Sequence, residues 1–178
     1  MSGATVDRED GIEEQNNKPS HTAPNQGERF LLVGAELITF KLRSEDYSIF
    51  ENATQGGYGG PPPHRHLHQD EGFYVLEGEF TFHVEGEAIP ATEGAFVNVP
   101  KGSLHTFENT GTGMGRLLVT VAPAGDFESF VEEVAERVSI DSPPTPPSEP
   151  PDADMISRIV AAGERHHLEM PPPPGDHH

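Results

Sequence analysis

The chain has 178 residues and no cysteine. That absence removes disulfides, thiolate metal sites and cysteine nucleophiles together, and it fits a reducing compartment. Basic residues are also scarce: 11 Lys and Arg stand against 30 Asp and Glu, a formal net charge of −19. A surface of that sign repels phosphate backbones and anionic bilayers, so neither nucleic acid nor a membrane is expected as a partner. No apolar run approaches the ~20 residues that span a bilayer. Residues Met1 to Gly27 are polar and acidic, without the apolar core of a secretory signal. A soluble cytoplasmic protein is expected. Helical periodicity is missing from Phe30 through Ala122.

What fills that stretch is β-type sequence. Phe30 to Val33, Leu37 to Leu42 and Tyr47 to Ala53 are rich in β-branched and aromatic residues. Gly56 to Pro63 then breaks regular structure. Short strands follow at His64 to His68, Phe73 to Leu76, Glu79 to Val84, Ala95 to Val99, Leu104 to Asn109 and Arg116 to Ala122. Glu77-Gly78, Glu85-Gly86 and Glu93-Gly94 supply turns between them. Strands this short at this rhythm predict an antiparallel all-β sandwich or barrel over residues 28–124. Strand alternation points several of Phe73, Val75, Phe80, Phe82, Phe96 and Phe107 inward, mostly as core, with some free to line an apolar pocket.

The flanks read differently. Residues 1–27 are expected to be a disordered or loosely attached arm. In the extension, 125–178, Phe127, Phe130, Val131, Val134 and Val138 fall at helical spacing, with Asp126 as the cap. Ser142 to Pro151 is a Pro-rich spacer, Asp152 to Glu164 a second short helix, and Pro171 to His178 a mobile tail. The helices are expected on the outside of the barrel or against a partner subunit. They show no chemistry of their own.

Five of the ten histidines lie between His64 and His105. His64 and His66 are two apart, so on a strand both imidazoles face the same side. Glu71 follows across a turn built from His68, Gln69 and Asp70, and His105 arrives from a much later strand. Three imidazoles and a carboxylate suit one divalent transition metal: Fe, Mn, Co, Ni, Cu or Zn. His68 reads as a surface turn residue and His83 as solvent-facing. His166, His167, His177 and His178 offer adventitious metal binding at most.

The run His64-Arg65-His66, four residues, Glu71, six residues, Gly78 resembles the first motif of the cupin superfamily. The run Gly94, five residues, Pro100-Lys101-Gly102, two residues, His105, three residues, Asn109 is similar to the second. One position departs: the family's leading glycine, six residues before His64, is Tyr58. The resemblance covers about residues 30–122 and implies a compact bacterial single-domain cupin, quercetin 2,3-dioxygenase-like. The implied fold is a double-stranded β-helix, or jelly-roll β-barrel, with short C-terminal helices. The same resemblance implies a homodimer and a metal held by His64, His66, Glu71 and His105. Pro100 and Gly102 suit a tight turn that returns His105 inward, and Asn109 suits backbone bonding at a strand end.

Four ligands on a six-coordinate metal leave two positions open, which a catalytic site needs. The leading expectation is a dioxygenase, an oxidoreductase acting on a small aromatic or enolisable substrate with dioxygen, Glu71 accepting the substrate's proton as base, ligand or both. The alternatives are a non-oxidative isomerase, cyclase or decarboxylase, and a non-catalytic module that binds a small molecule. A sugar-isomerase-like role is weaker, because no cluster of phosphate-binding Lys or Arg accompanies the site.

Overall fold

A computed structural model describes residues 19–33, 35–58, 60–139 and 151–171. The expectations for residues 1–18, for the spacer before Pro151 and for the tail beyond Pro171, His177 and His178 included, lie outside that range. The described residues form twelve strands: β1 (Glu28–Leu32), β2 (Glu36–Arg43), β3 (Ser48–Thr54), β4 (Arg65–His66), β5 (Asp70–Glu77), β6 (Glu79–Val84), β7 (Glu87–Thr92), β8 (Phe96–Val99), β9 (His105–Asn109), β10 (Gly115–Ala122), β11 (Glu136–Arg137) and β12 (Leu168–Glu169). Two helices occur among the described residues, α1 (Asp126–Val134) and α2 (Ala153–Arg165).

The strands assemble as a seven-stranded sheet, β11-β1-β2-β3-β10-β5-β8, facing a three-stranded sheet, β7-β6-β9, with β12 and β4 as a separate pair. All pairings are antiparallel. The two larger sheets close over one core, as expected for a double-stranded β-helix. Burial alternates without a break along β3 and β10, because successive side chains on a strand leave opposite faces. Phe73, Val75, Phe80, Phe82 and Phe107 meet inside as a run of ring contacts and packed aliphatics.

Phe96 is the exception among the aromatics considered for the interior. It is 63% exposed and lies over Gly72 on the outer face. Strand β7 was not apparent in the sequence, since Glu87, Pro90 and Thr92 mask its alternation. It lies at the rim of its sheet, where a proline leaves no ladder bond unmade.

The extension also departs from expectation at both ends of α1. Gly125 rather than Asp126 precedes the helix as its cap, its carbonyl accepting from Ser129 and its N–H donating to the Glu128 carboxylate. The helix stops at Val134, and Ala135 turns extended. Glu136 and Arg137 then pair with Leu31 and Phe30, so Val138 continues a strand edge instead of a helical face. A hydrophobic period alone does not register that change of partner. Helix α2 is capped by Asp152, whose side chain accepts from the Met155 amide at 2.8 Å. Residues before β1 are tied to β2: Thr22 donates to the Lys41 carbonyl and Lys41 to that of Gln26. Among the described residues no helix is long and apolar enough to cross a membrane.

Candidate metal centre and its cavity

The site begins with a backbone bridge. His64 and His105 exchange both main-chain hydrogen bonds, at 3.0 and 2.8 Å, so their rings stand side by side with centroids 4.3 Å apart. His66, two residues on, presents its ring on the same side, 5.2 Å from that of His64. Glu71 enters from β5, and Val99 of β8 and Val121 of β10 flank it in the sheet. All four residues are buried, and their ligand atoms lie within 4.8 Å of one another. The four sequence-predicted ligands converge on one point.

The second nitrogen of each ring is spoken for. His64 Nδ1 donates to the Pro62 carbonyl and His105 Nδ1 to that of Ser103, each at 3.0 Å. His66 Nδ1 lies 3.3 Å from Gln69 Oε1. Anchoring Nδ1 in this way turns each Nε2 toward the shared centre and fixes the tautomer that leaves its lone pair available. His66 Nε2 is 3.2 Å from Glu71 Oε2 without the alignment of a hydrogen bond, and it is buried with no other partner. His105 Nε2 is 3.0 Å from the same oxygen. Such contacts need a proton between nitrogen and carboxylate; a divalent cation takes the proton's place. The residues therefore fit a transition metal in donor chemistry, spacing and orphaned lone pairs.

Electrostatics favour the ligating forms of His64 and Glu71. Burial, followed by the neighbouring rings of His105 and His66, pushes the His64 imidazole down to about 3. Burial works against charge on Glu71, but the charge of His66 and the hydrogen bond with His105 outweigh it and hold the carboxyl well below its ordinary range. Burial also opposes protonation of His66, yet the Glu71 charge beside it raises that imidazole. A neutral imidazole and an ionised carboxylate are the forms that ligate.

Gln69 was assigned only to a turn by the sequence, and the structure gives it more. It is 1% exposed; besides facing His66, its Oε1 accepts from the Phe127 amide at 3.1 Å and its Nε2 donates to the Pro123 carbonyl at 2.6 Å. It couples a ligand's orientation to the start of α1. A Gln inside a His/Asp turn carries no pattern that marks this. Asn109 does what strand-end reading expected: its Nδ2 donates to the Thr54 and Gly113 carbonyls, each at 3.0 Å, and its Oδ1 accepts from Gly111. His83 is exposed beside Glu108, and His68 is exposed in its turn.

A cavity of about 690 Å³ opens beside the cluster, with His64 and Glu71 in its wall. Its walls are mainly apolar: Phe50, Phe73 and Phe107 from the barrel, and Phe127, Ile159 and Leu168 from the extension. The extension is thus part of the site and more than an outer covering. Leu168 pairs with His66 through β12 and β4, and the Leu67 amide donates to the His167 carbonyl at 2.9 Å. The Gly163 backbone packs so close to the Leu168 carbonyl that a Cβ there would fall 2.7 Å from it. Outside the cavity, His68 and His167 both approach Asp126 Oδ2, at 3.1 and 3.2 Å. This surface cluster holds the strap to the barrel.

Comparison with known proteins follows the same lines. Residues 53–121 match the family model described as "Cupin domain". A protein of Aquifex aeolicus named only as uncharacterized is 36% identical over 69 residues, which are 39% of this chain and 56% of that protein's length. Among solved structures, KdgF from a Halomonas species superposes with a TM-score of 0.57 at 18% identity, covering 62% of this chain and 99% of that one. An RmlC-like cupin from Shewanella frigidimarina gives 0.56 at 24% identity, over 63% and 98%. Streptomyces PAC13, solved with uridine, gives 0.52 at 21% identity, over 71% and 94%. At these identities the solved structures speak for the fold alone.

Proposed function

We propose, from the premise that the barrel of this chain is a cupin domain, that it is a metal-dependent oxygenase for a small, apolar, oxygenated substrate. The observation that carries this reading is the convergence of three ring nitrogens and one carboxylate at a cluster that reaches a largely apolar cavity through His64 and Glu71. A divalent transition metal bound there supplies Lewis acidity and, if redox-active, a route to dioxygen.

The chain's own residues do the rest. His64, His66 and His105 hold their lone pairs inward because Pro62, Gln69 and Ser103 hold the opposite nitrogens. Glu71 Oε2 would ligate a metal or take a proton from a substrate hydroxyl, which a bound cation would make more acidic. Phe73 and Phe107 keep the substrate's body out of water. Among the described residues no Lys or Arg lines the cavity, which disfavours phosphorylated sugars. Metal analysis of the purified protein comes first, followed by turnover of enolisable and catecholic compounds under air and under argon. Product that forms only with stoichiometric oxygen uptake supports the reading. Equal turnover under argon replaces it with non-oxidative isomerase, cyclase or decarboxylase chemistry, and stoichiometric binding without turnover replaces it with a binding module.

A further inference from the structure

The cavity carries a second polar feature that the metal centre does not use. Glu36, at the start of β2, and Asn52, on β3, both line it, and both are buried, at 6% and 4% exposure. Asn52 pairs across the sheet with Ile38, two residues along from Glu36, so the Glu36 and Asn52 side chains leave the same face of neighbouring strands. Asn52 Nδ2 donates to Glu36 Oε2 at 2.7 Å. That bond uses one donor and one acceptor. Asn52 Oδ1 is buried with no hydrogen-bond partner, and the other Glu36 oxygen accepts from no described residue. A buried polar atom left unpaired is costly, and proteins keep one mainly where something else completes it.

We propose that Glu36 and Asn52 form a recognition subsite for a hydroxyl group on the ligand, at a part of the cavity wall separate from the four metal ligands. A hydroxyl donates to the orphaned Asn52 oxygen or to Glu36, and its own oxygen can accept the second Asn52 N–H. The subsite selects against an anionic group, since two acceptor oxygens face it and no cationic side chain among the described residues lines the cavity. Burial, with the Glu71 charge adding to it against the Asn52 bond, raises the Glu36 carboxyl to about 7, so near neutrality it serves as donor or acceptor to an uncharged partner. The ligand class is an uncharged molecule with an apolar body, one oxygen function for the metal and a separate hydroxyl for this pair. The inference rests on reading the cavity as the ligand site of the metal centre, and it narrows the substrate class proposed above.

Binding of 2-naphthol and 2-methylnaphthalene, matched in size but differing in the hydroxyl, provides the test by ligand-observed NMR. Both the full chain stripped of metal and the metal-loaded form are titrated. Wild-type protein is expected to prefer 2-naphthol by about tenfold in both forms, and the E36M/N52L variant to bind the two equally while retaining one metal per chain. Replacing both partners with apolar side chains of similar shape is tolerated better than removing one. Equal affinities in wild-type protein would overturn the proposal, as would a preference that survives in the double variant. A preference confined to the metal-loaded form sends the hydroxyl to the metal and overturns it too. If the double variant does not fold, a crystal structure of wild-type protein with 6-bromo-2-naphthol decides. The bromine orients the ring, and the hydroxyl must lie within about 3.2 Å of Asn52 Oδ1 or the Glu36 carboxyl. The readout is binding: absent turnover fails the oxygenase reading alone, and equal affinity fails this one alone.

Discussion

His64 and His105, far apart in sequence, form an antiparallel bridge in which each backbone N–H bonds the other's carbonyl. Two ligands are thereby set side by side by main-chain geometry before any side-chain contact is counted. Replacing either ring with Ala leaves that bridge possible and removes only the nitrogen. H64A and H105A are expected to fold, with circular dichroism like that of the parent. Each should fall from one bound metal per chain to a substoichiometric amount after dialysis, measured by inductively coupled plasma mass spectrometry.

Gln69 orients His66 and holds the start of α1. Outer partners of metal-ligating histidines are typically worth about 10–100-fold in metal affinity. Q69L should weaken affinity by that factor in competition with a chromophoric chelator. It should also cost about 1–3 kcal/mol of stability, because the Phe127 amide and Pro123 carbonyl lose a buried partner. An unchanged affinity would confine Gln69 to a structural part.

Metal loading should raise thermal stability. A ligand bound only by the folded state at a free concentration of a hundred times Kd adds about 2.7 kcal/mol. Calorimetry should show a higher Tm with metal, returned to the starting value by chelator. H66A should show no such shift.

Glu36 gives a pH signature. Its carboxyl is raised from 4.5 to about 7 in the folded state, so the folded chain binds this proton more tightly than the unfolded one. The stability it contributes is complete below pH 4.5 and lost as pH rises through 7, on the order of 3 kcal/mol in all. His64 has the opposite sign: its imidazole is depressed to about 3, and its contribution, present above the ordinary value of 6.5, disappears as pH falls toward 3. Urea unfolding of wild type and E36Q at pH 5.5 and pH 8 isolates the first effect. The variant should lose less stability than wild type on going to pH 8, and parallel losses would refute the assignment.

The C-terminal strap should be energetically real. Leu168 is 2% exposed and faces the cavity from β12. L168A is expected to cost about 2–5 kcal/mol and to speed hydrogen exchange at the Leu67 amide, which bonds the strap. Amides of β10, paired on both edges within the large sheet, should stay protected.

The sequence by itself determined the barrel and the four candidate ligands, because both are written in local spacing. Alternation of two places residues on a face, and the offsets among His64, His66 and Glu71 survive in any strand-turn-strand that keeps its register. The exterior position of Phe96 was open, since period two gives two faces without saying which is inside. Gln69, the Glu36–Asn52 pair and the strap through Leu168 were decided only by tertiary structure. Each depends on contacts between segments distant in the chain: β5 with α1, β2 with β3, β4 with β12. A buried amide or carboxyl looks in sequence like any surface polar residue, and only the closed fold shows which of them lost its water.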